Sequence, residues 1–391
     1  MSQHAPSDGP PSAAFRAAFP EWQLTSSGYR AVISTVGATV RELTYRGRHL
    51  VVPFDAGTVR PFYRGALIAP WPNRIADGRY TFDGRDFQVP LNEVDRSHAL
   101  HGLVHWNRWE AVEALPDSVV LRTAVVPQDG YPFAIDLLAE YMVASRGLTG
   151  RLTATNIGSS PAPYGCCPHP YLVAGTSPLD EWQLSMPAAT RLEVDERLIP
   201  VGTRPVDDVD CDFRTPSVIG AREIDHAFAD LVTDDGGSVA VQLLDPAHGT
   251  GVELSFGSWA PWVQIHTADR PEPVNNRVGL AVEPMNCPPN AFNSADGPPI
   301  LESGATSTVD NFGHLDRLQP VSRADRPGHT AGGPVDPRTC RLGRTSCSVA
   351  SARGSVIRRN RASPALRPTS GLALSTLVNQ TCRICAKEVL S

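Results

Sequence analysis

The chain has 391 residues, 41% of them apolar, and a formal net charge of −6, which allows one large all-β domain or two smaller domains with a sizeable core. Lysine occurs once, at Lys387, and every other basic residue except histidine is arginine, so a GxxxxGK[ST] phosphate loop and a Schiff-base lysine in the body are excluded. Neither a G-x-S-x-G nucleophile elbow nor a G-x-G-x-x-G fingerprint is present.

In chain order, residues 1–19 read as a flexible arm. Residues 20–315 read as β almost throughout. Short apolar runs at Ala31–Val36, Val119–Val126 and Val239–Leu244 are separated by Gly, Pro, Asp and Asn clusters. Ile135, Leu137, Ala139, Tyr141 and Val143 alternate with polar neighbours, as do Leu148, Gly150, Leu152 and Ala154, the period of a half-buried strand. Many short strands with frequent turns predict a sandwich or closed barrel of antiparallel sheets. Residues 316–391 carry 13 basic and 4 acidic residues against 22 and 37 in the remainder. With one short apolar stretch, Leu372 to Val378, this segment lacks the periodicity of a core and reads as a disordered basic extension. Its charge leaves a nucleic-acid or membrane contact open, but the simpler reading is a non-functional extension.

Eight cysteines are too few for a disulfide scaffold at this size. Cys382-x-x-Cys385 lacks the second half of a zinc site, and Cys166, Cys167, Cys211 and Cys287 read as core packing. No stretch resembles a membrane span and the N-terminus lacks signal-peptide order, so a soluble cytoplasmic protein is expected.

Four constellations carry chemistry. In Pro70-Trp71-Pro72-Asn73-Arg74 two prolines fix the backbone around an Asn–Arg pair, and Arg74 offers a fork of donors either to ligand oxygens or to a nearby acid. The run His98-x2-His101-x3-His105 would share a face on a helix and suggest a metal, but Gly102 in a β-rich chain argues against that helix. His101 beside Gly102 fits a loop where the missing side chain admits a ligand. His169 stands between Pro168 and Pro170, which pin its backbone; it is either an aimed general acid or a buried imidazole satisfied by a carbonyl. Asp225 and Gln264 lie in Glu223-Ile224-Asp225-His226-Ala227-Phe228 and Trp262-Val263-Gln264-Ile265-His266-Thr267, with Gln264 facing away from Val263 and Ile265. Glu283 closes an apolar run (Val278, Leu280, Ala281, Val282) and precedes Pro284, Pro288 and Pro289. Partial drying would raise its pKa and suit it as a general base; alone, it would more readily read as a salt-bridged carboxylate at a strand end. Together these residues supply a carboxylate base, histidine acids and donors for hydroxyls, an inventory for moving protons on a polyhydroxylated ligand.

These segments resemble the aldose 1-epimerases, or mutarotases, of the galactose mutarotase-like superfamily. The resemblance runs through PWPNRIADGRYTFDG, ALHGLVHWNRW, YGCCPHPYL, EIDHAFADL, WVQIHT and LAVEPMNCPPNAFN, in the family's order and across about residues 20–315. It implies a large antiparallel β-sandwich, a small-molecule sugar substrate and interconversion of α and β anomers by ring opening and reclosure. It implies Glu283 as base, His169 as acid, His101 assisting, and Arg74, Asn73, Asp225 and Gln264 holding hydroxyls. It implies no cofactor. Beside it, no metal, no membrane and, the basic tail aside, no nucleic acid are expected, with a monomer or homodimer. Since the two catalytic groups must exchange roles on reclosure, both pKa values are expected near neutrality. Leu103 replaces the second glycine common after Leu-His-Gly, which leaves the sugar open. A hexose 6-phosphate mutarotase, with Arg60, Arg64, Arg74 and Arg108 as candidate cations, is the alternative. A non-catalytic sugar-binding or regulatory protein is the third reading.

Overall fold

The computed structural model describes residues 12–295 and 297–318. The first 11 residues of the expected arm lie outside them, as does the expected extension from 319 onward with Leu372 to Val378 and Cys382-x-x-Cys385. Of the arm, Ala13–Ala18 form a short exposed helix whose Phe15 N–H donates to the Ser12 hydroxyl at 3.0 Å.

The alternation in the sequence becomes two large antiparallel sheets. A nine-stranded sheet runs, edge to edge, through Glu110–Ala114, Ser118–Val125, Ile135–Ala144, Gly147–Asn156, Thr306–Arg317, Thr250–Gly257, Ser238–Asp245, Gln183–Ser185 and Ser217–Val218. Ile135, Leu137, Ala139, Tyr141 and Val143 are all buried, and so are Leu148, Leu152 and Ala154 opposite them. The strand that closes the body runs to Arg317, and Leu318 N–H still donates to the Gly251 carbonyl at 3.1 Å. A six-stranded sheet orders Tyr171–Leu172, Leu280–Met285, Trp262–His266, Asp225–Leu231, Ala188–Val194 and Pro200–Pro205. A smaller four-stranded sheet is built from residues 21–49.

Strand alternation splits the six-stranded sheet by face. Val263, Ile265, Leu280, Val282 and Phe228 join the large core shared with the nine-stranded sheet. Residues on the other face stand in antiparallel register, Glu283 opposite Gln264 and His266 opposite both Ala281 and Asp225. Directly opposed residues share a face, so this register gathers the polar groups on the side away from the core. Glu283 therefore lies inside the strand Leu280–Met285 rather than at its end. Pro284 is tolerated there because Val282 N–H donates to Pro170 O at 3.2 Å and Asn286 N–H to Cys166 O at 3.4 Å. N–H groups alternate along a strand, so the missing one at Pro284 falls on that side and leaves the ladder with Trp262–His266 intact.

Cys166, Cys167, Cys211 and Cys287 are buried and free. No helix among the described residues is long and apolar enough to cross a membrane.

Candidate active site

His169 and Glu283 meet directly. His169 Nε2 lies 3.2 Å from Glu283 Oε1, and the side chains are 5% and 3% exposed. The prolines are only part of what aims the imidazole. His169 N–H donates to Ala66 O at 3.0 Å and its carbonyl accepts from Gly65 N–H at 2.8 Å. The ring stacks on Tyr171 at 5.5 Å and meets the edge of His101 at 4.9 Å. Four buried polar atoms here have no partner in the protein: Glu283 Oε2, His169 Nδ1, His101 Nδ1 and Gln264 Oε1. Buried polar groups are nearly always paired, so such a cluster points to a ligand that supplies the partners.

His101 reaches the pair from a loop with φ of +61°, and Gly102 follows at +64°. The role expected of Gly102 differs from the one observed. A Cβ there would lie 2.2 Å from the Ala69 carbonyl oxygen, so the missing side chain admits the chain's own backbone rather than a ligand. Ala69 O in turn accepts from Leu103 N–H at 2.8 Å. The other two histidines of the run do not join the site. His98 Nε2 contacts Arg197 O at 3.1 Å, and His105 Nδ1 contacts the His101 carbonyl at 2.9 Å. One donor each from His101, His169 and Glu283 lie within 4.8 Å of one another, a cluster that a divalent ion could also span.

The hydroxyl-holding candidates line the same groove, a cavity of about 460 Å³, within the usual size of small-molecule sites. Gln264 Nε2 donates to Asp225 Oδ1 at 2.7 Å. Arg74 is clamped by Glu93, Nε to Oε2 at 2.7 Å and Nη2 to Oε1 at 2.9 Å, and its Nη2 lies 4.0 Å from Asp225 Oδ2. Asn73, at φ +51°, accepts from Arg74 Nη1 at 3.2 Å through Oδ1. Arg74 thus pairs an acid and also lines the groove. All seven expected site residues converge.

Sequence reasoning missed Tyr63, Tyr171, His266, Arg270 and Glu93. Tyr63 packs against His101 at 4.6 Å and His105 at 5.0 Å. It is delivered by two consecutive left-handed residues, Phe62 at +46° and Tyr63 at +59°, a conformation costing about 1–2 kcal/mol per residue. Such strain gathers at functional sites. His266 was signalled only by alternation with Gln264. Of the expected cations, Arg60 is spent on Thr39 Oγ1 and the His105 carbonyl. Arg60 and Arg108 line a separate, larger cavity of about 690 Å³ beside the N-terminal helix, which no carboxylate–histidine pair enters.

Burial sets the electrostatics. It pushes Glu283 well above the ordinary carboxyl range, helped by Asp225 and opposed by Arg74. It lowers His169 to about 3, and His266 and Arg60 act in the same direction. His101 falls well below its usual value through burial and the neighbouring His169 and Arg74. Burial also raises Asp225, but His266, Arg74 and the Gln264 amide outweigh it and hold the carboxyl below its usual range. The expectation of two near-neutral groups thus meets a different arrangement, one pKa raised and the other lowered. In the dry site the pair favours a neutral carboxylic acid beside a neutral imidazole.

The aldose 1-epimerase family model matches residues 20–310. The chain belongs to the aldose 1-epimerase family. It is 38% identical over 282 residues to the uncharacterized protein YihR of Escherichia coli K12, across 72% of this chain and 88% of that one. It is 26% identical over 316 residues to galactose mutarotase of Rattus norvegicus, across 72% and 89%. Among solved structures, the GalM/aldose epimerase homologue of C. elegans matches with a TM-score of 0.67 at 22% identity, covering 76% of this chain and 98% of that one. Galactose 1-epimerase of Lactobacillus acidophilus matches with a TM-score of 0.63 at 17% identity, covering 81% and 96%. The two sheets are the galactose mutarotase-like sandwich of this family.

Proposed function

We propose that the chain is an aldose 1-epimerase in activity, interconverting the α and β anomers of an aldose. The observation that carries this is the 3.2 Å contact between His169 Nε2 and Glu283 Oε1. Ring opening needs an acid on O5 and a base on the O1 hydroxyl, and those oxygens share one carbon, so the two groups must be neighbours.

The cyclic sugar meets the pair as Glu283 carboxylate and His169 imidazolium. Glu283 takes the O1 proton, the C1–O5 bond breaks, and O5 takes the Nε2 proton. The product is the open aldehyde, with the neutral acid and neutral imidazole that the dry site favours. After rotation about C1–C2, the C5 hydroxyl oxygen attacks C1 and returns its proton to His169. Glu283 gives its proton to O1. Each half of the cycle uses one proton tautomer of the same pair, so what matters is that the two tautomers are close in energy once sugar is bound. His101, held neutral by burial, serves as a hydrogen-bonding group rather than a cationic acid. Arg74, Asn73, Asp225 and Gln264 hold hydroxyls and so fix the face presented to the pair.

Exchange between anomers, followed by NMR on glucose and galactose, tests this reading. Accelerated exchange is expected. Sugar binding without acceleration would leave a binding protein on the same scaffold.

A further inference from the structure

The cavity beside the N-terminal helix is cationic and apolar at once. Five arginines line it, Arg16, Arg30, Arg41, Arg60 and Arg108, against a single acid, Glu21. That acid is already taken: Arg41 Nε donates to Glu21 Oε1 at 2.5 Å and Nη2 to Oε2 at 3.0 Å. Arg30 pairs with Glu42. Arg60 has no such partner. It is 5% exposed, its Nη1 and Nη2 donate to the neutral Thr39 hydroxyl and His105 carbonyl, and its buried Nε meets nothing. Burial lowers its pKa to about 10. Neither Arg60 nor Arg108 forms an ion pair among the described residues. A buried cation without a counter-charge is costly, and an anion entering the cavity would supply one.

Much of the remaining wall is aromatic. Phe15 and Phe19 of the helix segment line the cavity with their ring centres 5.0 Å apart, and Phe54 and Trp106 line it too. Trp106 is 53% exposed, and the Arg60 guanidinium carbon lies 4.4 Å from its ring centre. Apolar and aromatic walls around a few charged groups are the makeup of a small-molecule site, and about 690 Å³ is a fitting size. We propose that this cavity is a second ligand site, separate from the sugar groove, for a small aromatic molecule bearing one carboxylate. The ring lies among the aromatic side chains and the carboxylate faces Arg60 and Arg108. Ring faces stack favourably, and guanidinium forks match carboxylate oxygens. The site stands apart from the exchange chemistry assigned to His169 and Glu283, and neither depends on the other.

Calorimetry on the full chain with three probes tests the site: 1-naphthoate, its uncharged amide 1-naphthamide, and acetate. The naphthoate should bind saturably and at least about tenfold more tightly than either of the others, the scale of one charge-assisted hydrogen bond. Arg60→Gln should bring the preference for naphthoate over the amide to within about threefold of unity. Should that buried substitution prevent folding, Arg108→Gln and Trp106→Ala, both at exposed positions, carry the test, each weakening naphthoate at least about threefold. Glu283→Gln should leave naphthoate binding unchanged, which places the probe outside the sugar groove. Absence of saturable binding, or equal binding of the amide, overturns the proposal. So does an affinity that Glu283→Gln changes while Arg108→Gln and Trp106→Ala do not. A dimer in sedimentation that Trp106→Ala dissociates, without naphthoate binding, gives this face to a second copy and likewise overturns the ligand site.

Discussion

Replacing Glu283 by glutamine separates a catalytic carboxyl from a structural one, because the two roles predict opposite changes in stability. Glutamine keeps the shape and, like the neutral acid, can donate to His169 Nε2, but it cannot take a proton. Anomer exchange should fall at least ~100-fold, roughly 2.7 kcal/mol of barrier. Stability should move the other way. Burial raises the folded-state pKa of Glu283 well above its ordinary value, so its stabilising protonation is fully present below the unfolded pKa near ~4.3 and is lost as pH rises through the folded value. Across that window the wild type loses about 1.4 kcal/mol per pH unit from this group, and Glu283→Gln does not. His169, lowered to about 3, has the opposite sign: it adds stability as pH rises from about 3 to ~6.5. The two slopes offset each other in mild acid, and the Glu283 loss emerges above that range. Urea titrations of both proteins from pH 5 to 9 should show the variant gaining on the wild type as pH rises. A variant that unfolds more easily than the wild type at pH 8, or that keeps exchange within tenfold of wild type, refutes this account of Glu283.

Other perturbations reach the remaining parts of the site. His169→Asn should lower kcat by ~100-fold or more while calorimetric sugar binding changes little, since the ring supplies a proton rather than the main contacts. The pH profile of kcat should be flat through neutrality, with an acid limb only near the about 3 to which His169 is lowered; an acid limb near 6 would contradict the burial argument. Arg74→Met should raise KM about tenfold and also lower the melting temperature, because Glu93 loses its bidentate partner. Gly102→Ala should cost roughly 1–3 kcal/mol in a urea titration, from the left-handed backbone and the approach of Ala69 O.

What the sequence made legible was local. Alternation at Ile135–Val143 and Leu148–Ala154 places those side chains on the buried face, and the prolines around His169 do mark a fixed backbone. The register that sets Glu283 opposite Gln264, and His266 opposite Asp225, was beyond it, because pairing depends on segments brought together by the fold. Gly102 shows the limit at a single residue. A glycine beside a histidine reads as space for a ligand, and only the neighbouring Ala69–Pro70 backbone shows what occupies that space. Tyr63 and Arg270 gave no local signal, since their importance comes from what they touch across the groove. The pKa values were out of reach for the same reason: burial, the largest contribution to both, belongs to the tertiary structure.

The direct contact between His169 and Glu283 also bears on traffic with the solvent. In the proposed cycle the proton taken from O1 returns to O1, and the one lent to O5 returns to His169. The pair is a closed reservoir, so turnover needs no water or buffer molecule to deliver or remove a proton. Uncatalysed anomerisation quickens with buffer concentration; exchange on this protein should be indifferent to it.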